Sequence, residues 1–263
     1  MVIPVYDKNP TRRPAYVTLL LILANVAVFV LSPVARAPLV GGASTQQLCQ
    51  QQAYFQRWGA VPSELTTNRQ LPYTYGNASG PNECFRAVPN YPKLPWLSAI
   101  TSLFVHGGWL HLLGNMLFLW VFGNNVEDRF GRFRYLLFYL VVGVVATYAF
   151  ALTRSGDNSP LVGASGAISG VLGAYLIMFP RARVVSLVSF FFFLPVRLPA
   201  WIVLGSFFVL QAVYAYGVGL TGGSSVAYLV HVVGFALGVG YVMLLGRKLR
   251  PPPRQRAVGE YYR

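Results

Sequence analysis

Apolar residues run along this chain in long blocks separated by short polar breaks, and the length of each block decides what it can be. A helix needs about 20 apolar residues to cross the hydrocarbon of a bilayer. Six stretches reach or approach that length, at approximately 16–33, 107–124, 134–153, 160–179, 199–217 and 225–246. The stretch WLSAITSLFV at 96–105 is too short to span and predicts an interfacial helix leading into the second span. Residues 34–95 are too polar, and too rich in Pro, Gly, Gln and Asn, to cross, so they predict a large outer loop. The expected fold class is an all-α membrane protein of six transmembrane helices. Its expected parts are an N-terminal tail over 1–15, a membrane domain over 16–246 and a basic tail over 247–263, with no soluble second domain and no internal repeat.

Composition agrees with that pattern. Of 263 residues, 55% are hydrophobic and 11% charged, against roughly 25% charged in a soluble domain. A net charge of +14 raises the question of nucleic acid. The basic residues sit between apolar runs, however, where cytoplasmic loops are rich in Lys and Arg, so no nucleic-acid partner is expected. Lys8, Arg12 and Arg13 precede the first span, and Arg129, Arg132 and Arg134 separate the second from the third. Arg181, Arg183 and Arg197 separate the fourth from the fifth, and Arg247, Lys248, Arg250, Arg254 and Arg256 follow the sixth. These are alternate gaps, which places both termini in the cytoplasm. The first run resembles a secretory signal, with Arg12 and Arg13 before it and Ala35-Arg36-Ala37 after it. It is longer than a signal core, and Pro38 would follow the cut, so an uncleaved span is expected. The localisation expected is a bacterial-type cytoplasmic membrane, crossed several times. Both cysteines, Cys49 and Cys84, fall in the outer loop. On the oxidising side of such a membrane they could pair, with two free thiols as the alternative.

Ionisable groups inside spans are costly and mark function. The seven acidic residues, Asp7, Glu64, Glu83, Glu127, Asp128, Asp157 and Glu260, all read as loop or tail positions, which leaves the three histidines. His106 and His111 lie around the start of the second span, and His231 lies a short way into the sixth. His111 and Asn115 share a helical face. At about 1.5 Å per residue, Asn115 lies about 10 Å below the outer boundary, and Ser165 and His231 about 8 to 9 Å. Polar groups from three inward-running spans thus converge on one depth. The segments around Ser165 and His231 both carry the G-x-x-x-G spacing that lets helices approach closely, although small residues also serve ordinary packing. A serine hydroxyl becomes nucleophilic when a base takes its proton, and neutral imidazole suits that task. With no carboxylate available to orient His231, the arrangement expected is a dyad. The backbone N–H of Ser165 and the side chains of His111 and Asn115 are the candidate donors to an oxyanion.

The segments HGGWLHLLGNMLFLWVFG, GASGAISGVLGAYL and HVVGFALG resemble, in order and spacing, the second, fourth and sixth spans of the rhomboid family of intramembrane serine proteases. The resemblance covers about residues 96–246. It implies a rhomboid-like bundle, with Ser165 as nucleophile, His231 as general base, and His111 with Asn115 as the oxyanion-binding pair. It also implies that Gly163 and Gly166 flank the nucleophile, that Gly234 lets the sixth span approach the fourth, and that His106 is a structural, hydrogen-bonded residue of the outer loop. Two positions depart from the family pattern. Ser169 stands one turn after the nucleophile where many members carry an aromatic ring against the base, and Val230 precedes His231 where Ala is frequent. His231 is therefore expected to be held less firmly, or by other contacts. Aromatic residues Trp201, Phe207 and Phe208 of the fifth stretch fit a lateral entry for substrate, but would also suit a lipid-facing surface.

The implied substrates are single-span or multi-span membrane proteins whose helices unwind near the cut; neither a metal nor an organic cofactor is called for. Other chemistries lack their groups, since an aspartyl protease needs two intramembrane Asp and a zinc protease needs H-E-x-x-H. A transporter would place ionisable residues deeper in its spans. The remaining alternative is an inactive rhomboid-like protein that binds membrane clients without cutting them. The sequence assigns no oligomeric state.

Overall fold

The computed structural model describes residues 2–37, 42–80, 83–188, 194–221 and 228–245. The basic tail over 247–263, with Glu260, lies outside them. In chain order the elements are β1 (Val2–Asp7), α1 (Tyr16–Leu31), α2 (Thr45–Trp58), α3 (Pro62–Thr67), β2 (Thr74–Gly80), β3 (Glu83–Ala87), α4 (Pro95–Thr101), α5 (Trp109–Phe130), α6 (Arg132–Thr153), α7 (Ser165–Met178), β4 (Arg183–Val188), β5 (Leu194–Pro199), α8 (Ala200–Thr221) and α9 (Tyr228–Leu245).

Mostly helical, the chain departs from an all-α expectation in two places. Strands β1, β4 and β5 form an antiparallel sheet in the order β1-β4-β5, so residues 2–7 are a strand within the expected tail. In sequence the β4 and β5 region reads as a basic gap between spans, but RVVSLV carries β-branched residues that favour a pleated surface, and LPVRLP pairs with it at the sheet edge, where proline is tolerated. The second sheet is the β2–β3 hairpin of the outer loop.

By length and composition, α6 and α9 are each able to cross a membrane, and α4 with α5 forms a third candidate span bent by 81°. Helices α1, α7 and the start of α8 are apolar but shorter. Helix α7 is short because it is central: every residue from Gly166 to Tyr175 is buried, and a helix wrapped by protein need not match the thickness of lipid. Its tightest neighbour is α9. A Cβ placed on Gly234 or Gly238 would overlap the carbonyl oxygens of Gly166 and Gly170, and one on Gly173 would overlap that of Phe235. Backbone therefore meets backbone along this contact.

Helix α5 continues beyond its apolar run to Gly131, whose φ of +80° turns the chain into α6. That extension corrects the reading of the acidic residues. Glu127 and Asp128 lie in the last turns of α5 and are buried. Glu127 accepts from Val17 N–H at 3.0 Å, and from Thr18 N–H and Oγ at 2.8 Å each, so it satisfies the orphan donors at the start of α1. Asp7, expected in a free tail, is buried in β1. It accepts from Asn125 Nδ2 at 2.9 Å and from the hydroxyl of Tyr175 near the end of α7.

The described residues of the segment expected as an outer loop are folded. Ser44 and Gln47 cap α2 reciprocally, and a Cys49–Cys84 disulfide ties α2 to β3. Glu64, another presumed loop acid, is buried in α3 against Lys93 at 2.5 Å. Lys93 also donates to the carbonyls of Gln56 at 2.6 Å and Gly59 at 3.0 Å. This cap pairs with the chain leading to Ser165: Ala60 and Leu161 exchange backbone bonds of 2.9 and 2.8 Å, and Ser63 N–H donates to Asp157 O at 3.0 Å.

Candidate active site

Ser165 is the first residue of α7, not a residue one turn inside a span, because residues 161–164 precede the helix without belonging to it. A helix start carries unsatisfied N–H groups and a partial positive charge. The nucleophile candidate thus brings its own backbone donor. The segment before it is held on one side by the Leu161 pairing and on the other by Gly163 N–H, which donates to Ser102 O at 2.9 Å. Gly163 has φ +122°, a conformation that L side chains rarely adopt.

The structure brings together the residues on which the sequence converges. Ser165 Oγ lies 2.7 Å from His231 Nε2. On the other side, the His111 ring lies over Gly163, where a Cβ would stand 2.7 Å from its Nε2. Gly107 N–H donates to His111 Nδ1 at 3.3 Å. The neutral ring therefore carries its proton on Nε2, the nitrogen that lies against Gly163. Asn115 uses one amide N–H on the His111 carbonyl at 3.0 Å, which leaves its second for the cavity. Ser165, His231, His111 and Asn115 all line one cavity of about 550 Å³, walled by apolar residues such as Phe118, Leu161, Ile168 and Phe207.

His231 is held by contacts other than a ring one turn after the nucleophile. Ser169 is buried but supplies no ring. A ring comes instead from α8, where Phe207 lies 6.4 Å from the His231 ring, centroid to centroid, and also packs on Phe118 at 5.7 Å. The Gln211 carbonyl oxygen of the same helix faces His231 Nδ1 at 2.7 Å. Gln211 is a lone amide inside an apolar run, with no histidine or second amide at helical spacing to mark it in the sequence. Val230 packs its Cγ1 where a Cβ on Gly166 would fall, so this bulkier neighbour is fitted against glycine. Phe208 turns away to stack on Phe235 at 4.6 Å, and Trp201 is exposed. His106 is buried, and its ring packs edge-on against His111 at 5.1 Å between centroids.

Chemically, the arrangement pairs a hydroxyl with an imidazole in a cavity that His111 and Asn115 also line. Comparison with known proteins points the same way. The rhomboid-domain family model matches residues 93–248. Rhomboid protein 1, mitochondrial, of Saccharomyces cerevisiae is 31% identical over 192 residues, covering 68% of this chain and 53% of its own. Putative rhomboid protease YdcA of Bacillus subtilis is 37% identical over 83 residues, covering 32% of this chain and 41% of its own. Rhomboid protease GluP of the same organism is 40% identical over 84 residues, covering 31% and 15%. The chain thus spans about half, or less, of the length of these relatives. With a family match across more than half of its residues, the chain belongs to the rhomboid family of membrane proteins.

Proposed function

We propose that this protein is an intramembrane serine endopeptidase that cleaves transmembrane segments of membrane-protein substrates, with Ser165 as nucleophile and His231 as general base. The observation that carries the reading is the 2.7 Å approach of Ser165 Oγ to His231 Nε2, inside a cavity that His111 and Asn115 also line. Ser165 Oγ attacks the scissile carbonyl carbon while its proton passes to His231 Nε2. The carbonyl oxygen, now an oxyanion, takes hydrogen bonds from Ser165 N–H, His111 Nε2–H and the free N–H of Asn115. The C–N bond then breaks, His231 gives its proton to the departing amine, and an acyl-serine remains. Water entering through the cavity gives its proton to His231 as its oxygen attacks the ester carbon. Release of the carboxyl product returns that proton to Ser165 Oγ.

The same reading places six spans in a bacterial-type cytoplasmic membrane, with both termini cytoplasmic and the cavity open to the outer side. Arg132, Arg134, Arg183 and Arg197 support that orientation, because all four belong to elements at the bundle end opposite Ser165. Single-span and multi-span membrane proteins are the substrates, and the steps use no metal or organic cofactor. The test is fluorophosphonate labelling and cleavage of a single-span substrate by the detergent-solubilised protein, with Ser165→Ala beside it. Labelling and cleavage that vanish in the variant support the proposal. Equal cleavage by both proteins, or an unmodified protein that neither labels nor cuts, refutes it, the latter in favour of an inactive client-binding protein.

A further inference from the structure

His231 can accept the Ser165 proton only through a nitrogen that carries none, and a neutral imidazole has one such nitrogen at a time. The tautomer with its proton on Nδ1 is competent; the other points an N–H at the hydroxyl and cannot act. In a triad a carboxylate settles this choice, whereas here the group within reach of Nδ1 is the amide of Gln211, its Oε1 at 2.7 Å. An amide oxygen only accepts, so it holds the proton on Nδ1 and leaves the Nε2 lone pair toward Ser165 Oγ, also at 2.7 Å.

Gln211 and Phe207 are four residues apart on α8 and so lie on one helical face. The same face thus supplies both the acceptor and the ring beside the base. Ser169, on α7, offers His231 no aromatic surface. The base is therefore braced from a different helix than the nucleophile.

Resting on the proposed hydrolase reading, we infer that Gln211 is a positioning residue that fixes the reactive tautomer of His231, with α8 as the element that holds the base in register. The geometry separates an acceptor role from simple packing, because methionine keeps the length and shape of the side chain without the oxygen, and glutamate keeps the oxygen.

The experiment uses the full chain in detergent, unmodified and as Gln211→Met and Gln211→Glu, with three readouts. The first is the rate of Ser165 labelling by a fluorophosphonate, a probe that needs no substrate helix. The second is kcat and KM on a single-span substrate. The third is the His231 tautomer, from long-range proton–nitrogen correlations on ¹⁵N-histidine protein, assigned by the signal lost in His231→Ala. Expected are an Nδ1–H tautomer in the unmodified protein and a labelling rate and kcat lowered about 100-fold in Gln211→Met. KM should stay within about twofold, and Gln211→Glu should recover most of the loss. Labelling of Gln211→Met at the unmodified rate overturns the inference. So does an equal loss in both variants, or an Nε2–H tautomer in the unmodified protein. The tautomer is read without any variant at 211, so it decides even where a variant folds poorly. An unmodified protein that neither labels nor cleaves would instead sink the hydrolase reading.

Discussion

Helix α7 has a buried polar cluster near each end, and the two are built from similar parts to opposite effect. At one end Ser165 meets His231, which is paired in turn with Gln211; at the other Tyr175 meets Asp7, which also accepts from Asn125. In the second cluster the Asp7 carboxylate accepts from a hydroxyl, an amide and the backbone N–H of Asn9 at 2.5 Å. Strand β1 is thereby closed against the bundle. In the first cluster His111, Asn115 and Ser165 line a cavity of about 550 Å³. Capacity left open makes a group reactive, and capacity filled makes it a fastener.

The comparison predicts which substitutions spare stability and which spare activity. His231→Ala should lower labelling and cleavage by about 10⁴-fold or more, with the unfolding midpoint nearly unchanged. A large fall in that midpoint would make the outer cluster a fastener too. His111→Ala removes one donor and should cost about 10²- to 10³-fold in kcat; cleavage kinetics with KM resolved will check it.

The opposite cluster should answer to pH. Burial pushes the Asp7 carboxyl up from 3.8 to about 6, against the pull of the Tyr175 and Asn9 hydrogen bonds. The folded protein thus holds this proton more tightly than the unfolded chain. The resulting stabilisation is full below about pH 4 and is lost as pH rises through about 6. The difference between about 6 and 3.8 converts to at most about 3 kcal/mol. Thermal unfolding between pH 4.5 and 7.5 should reveal this slope in the unmodified protein and a flatter one in Asp7→Asn. Identical slopes would remove Asp7 from the account. Smallest of all, Tyr175→Phe deletes one donor to that carboxylate and should cost about 1 to 2 kcal/mol. Labelling of Ser165 should be unchanged, since the ring stays in place.

How much of this was legible in the sequence follows the same division. Ser165, His231, His111 and Asn115 stood out because polar groups in apolar runs are costly enough to require a reason. The fastening cluster was invisible for a related cause. Tyr175 reads as an apolar residue of its run, and Asp7 sits ahead of the first span, where hydropathy assigns a tail. Glu127 and Asp128 were misplaced because the apolar run stops near residue 124, whereas the helix continues until Gly131 can turn. Gln211 was less legible because its run carries no histidine or second amide at helical spacing to pair with it. Strands β4 and β5 were hidden by their arginines, which mark a side of the membrane without saying what the backbone does between them.

Where backbone meets backbone, as at Gly173, Gly234 and Gly238 between α7 and α9, there is no size to trade. Elsewhere in a core a larger residue can be balanced by a smaller neighbour, but a Cβ at these three positions would meet a carbonyl oxygen, which cannot shrink. Variation therefore has to enter through the periphery, as in the disulfide-tied cap, while the central pair stays as it is. Variant libraries should leave those glycines untouched and spend their diversity there.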